Sequence, residues 1–393
     1  MNRLRWGSLA ALVAVVGSLS ASVLAGAASG VNWSQEGFNA QHTNFNRLET
    51  TLTRSNVGHL VRAFDTPIST GPDPIVANGE VYLSASIDGI VQAVNAVTGS
   101  VDWTANACNT GEQTTAPAFA AAKVWVGLDD PGTAGITSSG STVACLPSDL
   151  YTSPPSTYNG VVFAGGADGV VVAIKAGSST ILWQTCIGCA RSGGPTLATP
   201  AVSTDGKWLF IGSPATGDVY KLNAQTGALV WTRFVDSCGT SAVTVSGSSL
   251  LVSGCAVYAL SAANGAMLWH SSKVGSSISA PAVANGLVFV TAIGNYAGTF
   301  ALSASTGKTV WSQPDFLGQL FAPAIANGVV YIDFPEISSL VMYNSSTGAQ
   351  IGSVGTALQR AFTGSPVVAN GRVYICTFNF ATDSDYHLVA FRA

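Results

Sequence analysis

Charge is what this sequence has least of. Only 9% of its 393 residues are charged, and histidine occurs four times. With so few Lys and Arg and a formal net charge of −4, no basic run tracks a phosphate backbone, and nucleic acid is excluded as an expected partner. The histidines, His42, His59, His270 and His387, are scattered along the chain. A His-rich metal site therefore lacks material, and each is read as a satisfied or exposed side chain. No P-loop, His-Glu-x-x-His or Gly-x-Ser-x-Gly pattern occurs, which removes the phosphate-loop, zinc-protease and serine-hydrolase signatures. Hydrophobic residues, at 47%, and glycine, at 43 positions, are plentiful instead. That composition suits one large β-rich domain and argues against disorder.

The N-terminus carries Arg3 and Arg5, an apolar run over residues 9–24 and then Ala25-Gly26-Ala27. This pattern reads as a secretory signal cut after Ala27. An uncleaved anchor is the alternative, but Gly17, Ser18 and Ser20 interrupt a run that is already short. Leu24-Ala25-Gly26 resembles a lipoprotein signal, yet Ala27 stands where the lipidated Cys belongs, so no stable membrane anchor is expected.

Further on, one stretch recurs. Residues 219–231 read Val-Tyr-Lys-Leu-Asn-Ala-Gln-Thr-Gly-Ala-Leu-Val-Trp, an alternating strand, a turn at Thr226-Gly227, and a second apolar run closed by Trp231. Residues 93–103, 259–269 and 301–311 match it, ending in Trp103, Trp269 and Trp311. Residues 173–183 keep Trp183 but have Ser179 where the turn glycine belongs, and residues 342–352 keep Thr347-Gly348 but lose the Trp. Blade two is the most degraded copy, with Ala144 in its Trp slot. A second marker, Pro74, Pro117, Pro155, Pro200, Pro281, Pro323 and Pro366, with Ser241 in the vacant slot, sets a period of about forty residues, that of four-stranded propeller blades. The first strands end in Asn-Gly at residues 78, 159, 285, 327 and 370, the strongest short hairpin signal. Eight copies result. The last stops before its fourth strand, and an orphan strand at residues 59–64 precedes Pro74, so pairing the two closes the ring and removes two exposed edges.

The repeat resembles that of the pyrroloquinoline quinone (PQQ) enzyme family, Ala-x-Asp-x-x-Thr-Gly-x-x-x-Trp, with Asn95, Asn223, Ser261, Ser303 and Asn344 in place of the Asp. The resemblance implies an all-β, eight-bladed β-propeller of four-stranded antiparallel blades. In it Trp103, Trp183, Trp231, Trp269 and Trp311 dock between neighbouring blades. Residues 1–27 are then signal, residues 28–56 a lead-in laid across the propeller, and residues 57–393 the propeller itself. Propellers of this repeat include quinoprotein dehydrogenases and non-enzymatic scaffolds similar to the outer-membrane assembly factor BamB.

Short Asn-Gly and Thr-Gly turns occupy one face of such a ring and offer little to bind with. The opposite face carries the longer, more varied segments, at residues 109–115, 186–198, 293–298, 313–320 and 378–386, and is the expected site. Glu112, Arg191 and Arg360 lie there as candidate cofactor-binding residues. Acids collect there too, including Asp333. Solvated loop charge is one reading of them; the other is a Ca²⁺ site at Asp129-Asp130 or at Asp383 and Asp385. Seven cysteines in an exported chain suggest pairing with one left over. Cys238 with Cys255 and Cys108 with Cys145 are expected bonds; Cys186 with Cys189 closes a small loop or serves a redox or zinc role, though no second ligand pair for zinc is evident, and Cys376 is left as a buried thiol. The vicinal Cys pair of methanol-dehydrogenase-type relatives is missing. The function expected is a secreted binding or scaffold module without a cofactor, taking a protein, glycan or polymer. The alternative is a PQQ- and Ca²⁺-dependent dehydrogenase of an alcohol or sugar.

Overall fold

Turn chemistry defines each sheet. At Asn78-Gly79, Asn159-Gly160, Asn285-Gly286, Asn327-Gly328 and Asn370-Gly371 both residues have positive φ, between 46° and 86°, as a type I′ hairpin requires. The computed structural model describes residues 32–393 apart from 70, 72, 85–87, 110, 112, 130–131, 148–152, 189–195, 275–276, 295, 315–320, 356–359 and 380–384. The signal expected over residues 1–27 lies outside them. The strands form eight antiparallel sheets arranged as propeller blades, from blade one (Ile75–Ala77, Glu80–Ser84, Ile90–Asn95, Val101–Asn106) to blade eight. Blade eight takes Ala361–Ala369, Arg372–Phe378 and Tyr386–Arg392 from the C-terminus and Val61–Ile68 from the N-terminus, paired Val61 to Arg392 through Ile68 to Tyr386. The closing strand thus runs later than residues 59–64, because Val57–His59 form a 3₁₀ turn instead.

The Asn of the repeat performs a local task. Asn95, Asn223 and Asn344 each accept two backbone N–H bonds at Oδ1 from the turn that follows, as from Gln225 and Thr226. An Asx turn of this kind works with either Asp or Asn, so the substitution leaves the fold intact.

Junctions between blades follow one rule. Trp103, Trp183, Trp231, Trp269 and Trp311 each donate the indole N–H to a backbone carbonyl of the next blade, those of Ser138, Ala224, Ala263, Ala304 and Ser345. Each ring lies against that blade's turn glycine: Gly140, Gly227, Gly265, Gly307 and Gly348. A Cβ on Gly227 would sit 2.5 Å from the Trp183 ring, so the glycine is needed for the approach as well as for its φ of 72°. Only Trp311, 8% exposed, is buried; the other four are half-buried, because the outermost strand lies on the rim. The remaining three junctions each depart in their own way. Ala144 and Ser179, separate irregularities in the sequence, face the same junction, where Lys123 Nζ reaches across to the Ala176 and Gly177 carbonyls and the Ser179 hydroxyl. Without a Trp ring to admit, Ser179 takes φ 55°. Phe64 replaces Trp in the closing strand and packs on Gly99, while Gly352 in blade seven makes room for Gly58.

Candidate functional site

Innermost strands of a propeller are sheet edges whose unpaired N–H groups face the central channel, and such groups need partners. Residues 33–46 supply them, meeting the middle of the innermost strand of all eight blades in turn. Trp33 exchanges two bonds with Val76, the Ser34 carbonyl takes the Phe119 N–H, and the Gln35 side chain bonds Thr157 in both directions. The carbonyls of Ala40, Gln41, Thr43 and Asn44 then accept from Val202, Val245, Val283 and Ile325, and Asn46 Nδ2 donates to Val368 at 2.7 Å. The lead-in therefore lines the channel from inside. A tight turn reverses it midway, with Gly37 at φ 71° and Phe38 at 75°.

Side chains of this segment divide between the two ends of the channel. Glu36, His42 and Asn44 point to the crossover side, where with Asp73, Pro74, Thr244 and Ser365 they surround about 40 Å³ of empty space, enough for a few waters at most. Asn39, Gln41, Thr43, Phe45 and Arg47 point to the turn side, where Tyr158, Thr204, Ser246 and Asn285 complete a chamber of about 570 Å³. Burial pushes Glu36 up to about 7, although the Thr199 hydroxyl, donating at 2.6 Å, opposes it and the Asp73 charge adds to it. Burial likewise raises Asp73, which accepts the Ser365 N–H. His42, 4% exposed, is lowered to about 4 by burial, which the Val243 backbone offsets only in part. Its Nε2 meets Ser156 Oγ at 2.8 Å, and Nδ1 has no hydrogen bond of normal geometry.

The candidates from sequence are dispersed. Glu112, Arg191, Asp130, Asp383 and Cys189 lie outside the described residues. Arg360 and Asp385, assigned separately to a cofactor and a metal, meet each other: Nη2 to Oδ2 is 2.7 Å, with Nε on the same oxygen at 3.0 Å. His387 Nε2 holds the other Asp385 oxygen at 3.0 Å, while its Nδ1 meets Asp65 at 2.5 Å. Arg360 above all, with His387, keeps the Asp385 carboxyl below its usual range. Asp129 is half-buried and its N–H bonds the Gln113 carbonyl. Asp333 is not solvated loop charge: it is 1% exposed, neither carboxylate oxygen has a partner, and burial raises it well above its usual value.

Cys108 bonds Cys145, and Cys238 bonds Cys255. Cys186 is also disulfide-bonded, and Cys376 is a buried thiol. Asp236 ties the Cys238–Cys255 bond down, accepting both cysteine N–H groups and the Tyr258 hydroxyl. With both sulfurs in a disulfide, this cluster offers no thiolate to a metal. Sequence reasoning missed Glu36, Asp73 and Arg47 and read His42 as ordinary; no local motif marks them, since threading of the lead-in alone brings them together.

PQQ is a flat tricarboxylate and needs cationic partners and a pocket of roughly 300 Å³ or more. The crossover end of the channel gives about 40 Å³ and two carboxyls, with no Lys or Arg among the described lining residues. These residues do not fit the group.

The family described as outer membrane protein assembly factor BamB matches residues 41–233, 167–254 and 215–392, and the chain belongs to it. Among solved structures, a quinohemoprotein alcohol dehydrogenase from Comamonas testosteroni is similar at 14% identity and a TM-score of 0.72, over 92% of this chain and 80% of that one. BamB from Moraxella catarrhalis is similar at 16% and 0.65, over 85% and 98%. A europium-containing methanol dehydrogenase is similar at 12% and 0.72, over 92% and 98%. Likeness at these identities shows the fold alone. No curated protein matches the chain.

Proposed function

We propose that this member of the BamB-described family is a non-catalytic binding or scaffold propeller, exported to the cell envelope, that takes a protein, glycan or polymer on its crossover-loop face. The observation that carries this reading is the channel. Where a cofactor of the similar dehydrogenases would need room and positive charge, residues 33–46 fill the space and leave an acid-lined remainder. Rigid blades joined by Trp–Gly docking present the varied loops as a platform, which is what a scaffold requires. The disulfides suit an oxidising compartment outside the cytoplasm.

Adding PQQ with Ca²⁺ to the purified protein tests this. The expected result is no stoichiometric bound-quinone spectrum and no dye-linked oxidation of alcohols or sugars. Bound quinone with turnover that disappears on changing Arg191 or Glu112 would replace the scaffold with a dehydrogenase.

A further inference from the structure

We propose that the turn-side chamber of the channel is a second binding site, for a small sugar acid: a polyhydroxylated ring bearing one carboxylate. It lies on the opposite face from the scaffold surface and does not depend on that reading. Its volume of about 570 Å³ falls within the range of small-molecule pockets, roughly 300–1,000 Å³.

The lining has the composition that such a ligand needs. Asn39, Gln41 and Thr43 present amide and hydroxyl groups in a row, and Phe45 and Tyr158 add aromatic rings. No Asp or Glu lines the chamber, although acids outnumber bases in the chain by 20 to 16. Arg47 is exposed at its mouth and makes no hydrogen bond or ion pair with any described residue. A guanidinium left open in this way matches one carboxylate bidentately.

The polar row is also held in place before any ligand arrives. Asn39 Oδ1 accepts the N–H groups of Gln41 and Thr43, and its Nδ2 donates to Thr43 Oγ1 at 2.8 Å. Gln41 Nε2 is spent on the Val202 carbonyl at 3.0 Å, leaving Oε1 for the ligand. Tyr158 is pinned through its hydroxyl to the Thr204 carbonyl, and its ring lies on Gly206. Side chains fixed in this way lose little entropy on binding, which favours a ligand with many weak polar contacts.

Calorimetric titration of the purified protein and its Arg47→Gln variant with glucuronate, glucose and acetate tests the site. Glucuronate should bind the native protein, glucose at least tenfold more weakly, and acetate not measurably. Arg47→Gln should weaken glucuronate at least tenfold with its melting temperature unchanged. Failure of glucuronate to bind overturns the proposal. Equal affinity in the variant also overturns it by placing the ligand elsewhere, and acetate binding as well as glucuronate overturns the sugar requirement.

Discussion

The two ends of the channel share one wall and differ in almost everything else. Neighbouring side chains of the same lead-in give the crossover end Glu36 and His42, beside Asp73, and the turn end Arg47 with amides and rings. One end is tight and acidic, the other open and without acids. The difference teaches that a segment threaded through a channel in turns, left-handed at Gly37, Phe38, His42 and Asn44, can send neighbouring side chains to opposite ends, so a single short segment builds two unlike environments.

Breaking the segment should therefore damage both ends at once, with the largest effect. A Cβ at Gly37 would come within 2.6 Å of the His42 Cα, in a backbone at φ 71°. Gly37→Ala should cost about 3 kcal/mol in denaturant unfolding. The matched control is Gly79→Ala, at φ 86° with nothing within 4 Å, which should cost about 1 kcal/mol. Equal costs would mean that the channel turn is held no more tightly than a surface hairpin.

The propeller was far more legible in the sequence than this channel. Thr226-Gly227 and Trp231 carry their own turn and packing chemistry, so each repeat announces itself, and the Asn-Gly pairs mark hairpins through the φ they permit. Ala144 and Ser179 read as two unrelated lapses only because the junction that joins them is between blades. The channel leaves no such trace. Its bonds are largely backbone carbonyls meeting backbone N–H groups, as Gln41 meets Val245, and carbonyls have no sequence pattern. Arg360 and Asp385 show the converse: residue types suited to a ligand, spent on each other.

The acidic end should announce itself in the pH dependence of stability. Glu36 is raised from 4.5 to about 7, so the folded state holds a proton that the unfolded chain has released across that window. Stability from this group is full below pH 4.5 and is lost as pH rises through 7. Glu36→Gln should thus be more stable than the native protein above pH 7, by about 3 kcal/mol, and indistinguishable from it near pH 4. His42 runs the other way. Its pKa falls from 6.5 to about 4, so its contribution is present above pH 6.5 and is lost as pH falls toward 4. In Glu36→Gln the acid-side loss due to His42 should stand alone, giving a steeper fall between pH 6.5 and 4 than in the native chain. Parallel curves would show that Glu36 titrates alike in the folded and unfolded chain.

The turn end should give the smallest effect on stability. Arg47 is exposed and has no partner among the described residues, so no buried bond or ion pair is lost with it. Arg47→Gln should change unfolding free energy by less than about 0.5 kcal/mol at any pH. This near-zero value sharpens the comparison, because Glu36→Gln, in the same segment eleven positions earlier, also removes a single charge. If both substitutions shifted stability equally above pH 7, charge would be acting across the whole channel. If only Glu36→Gln does, the wall formed by residues 33–46 separates two environments, and the charge of Arg47 remains free to meet a ligand.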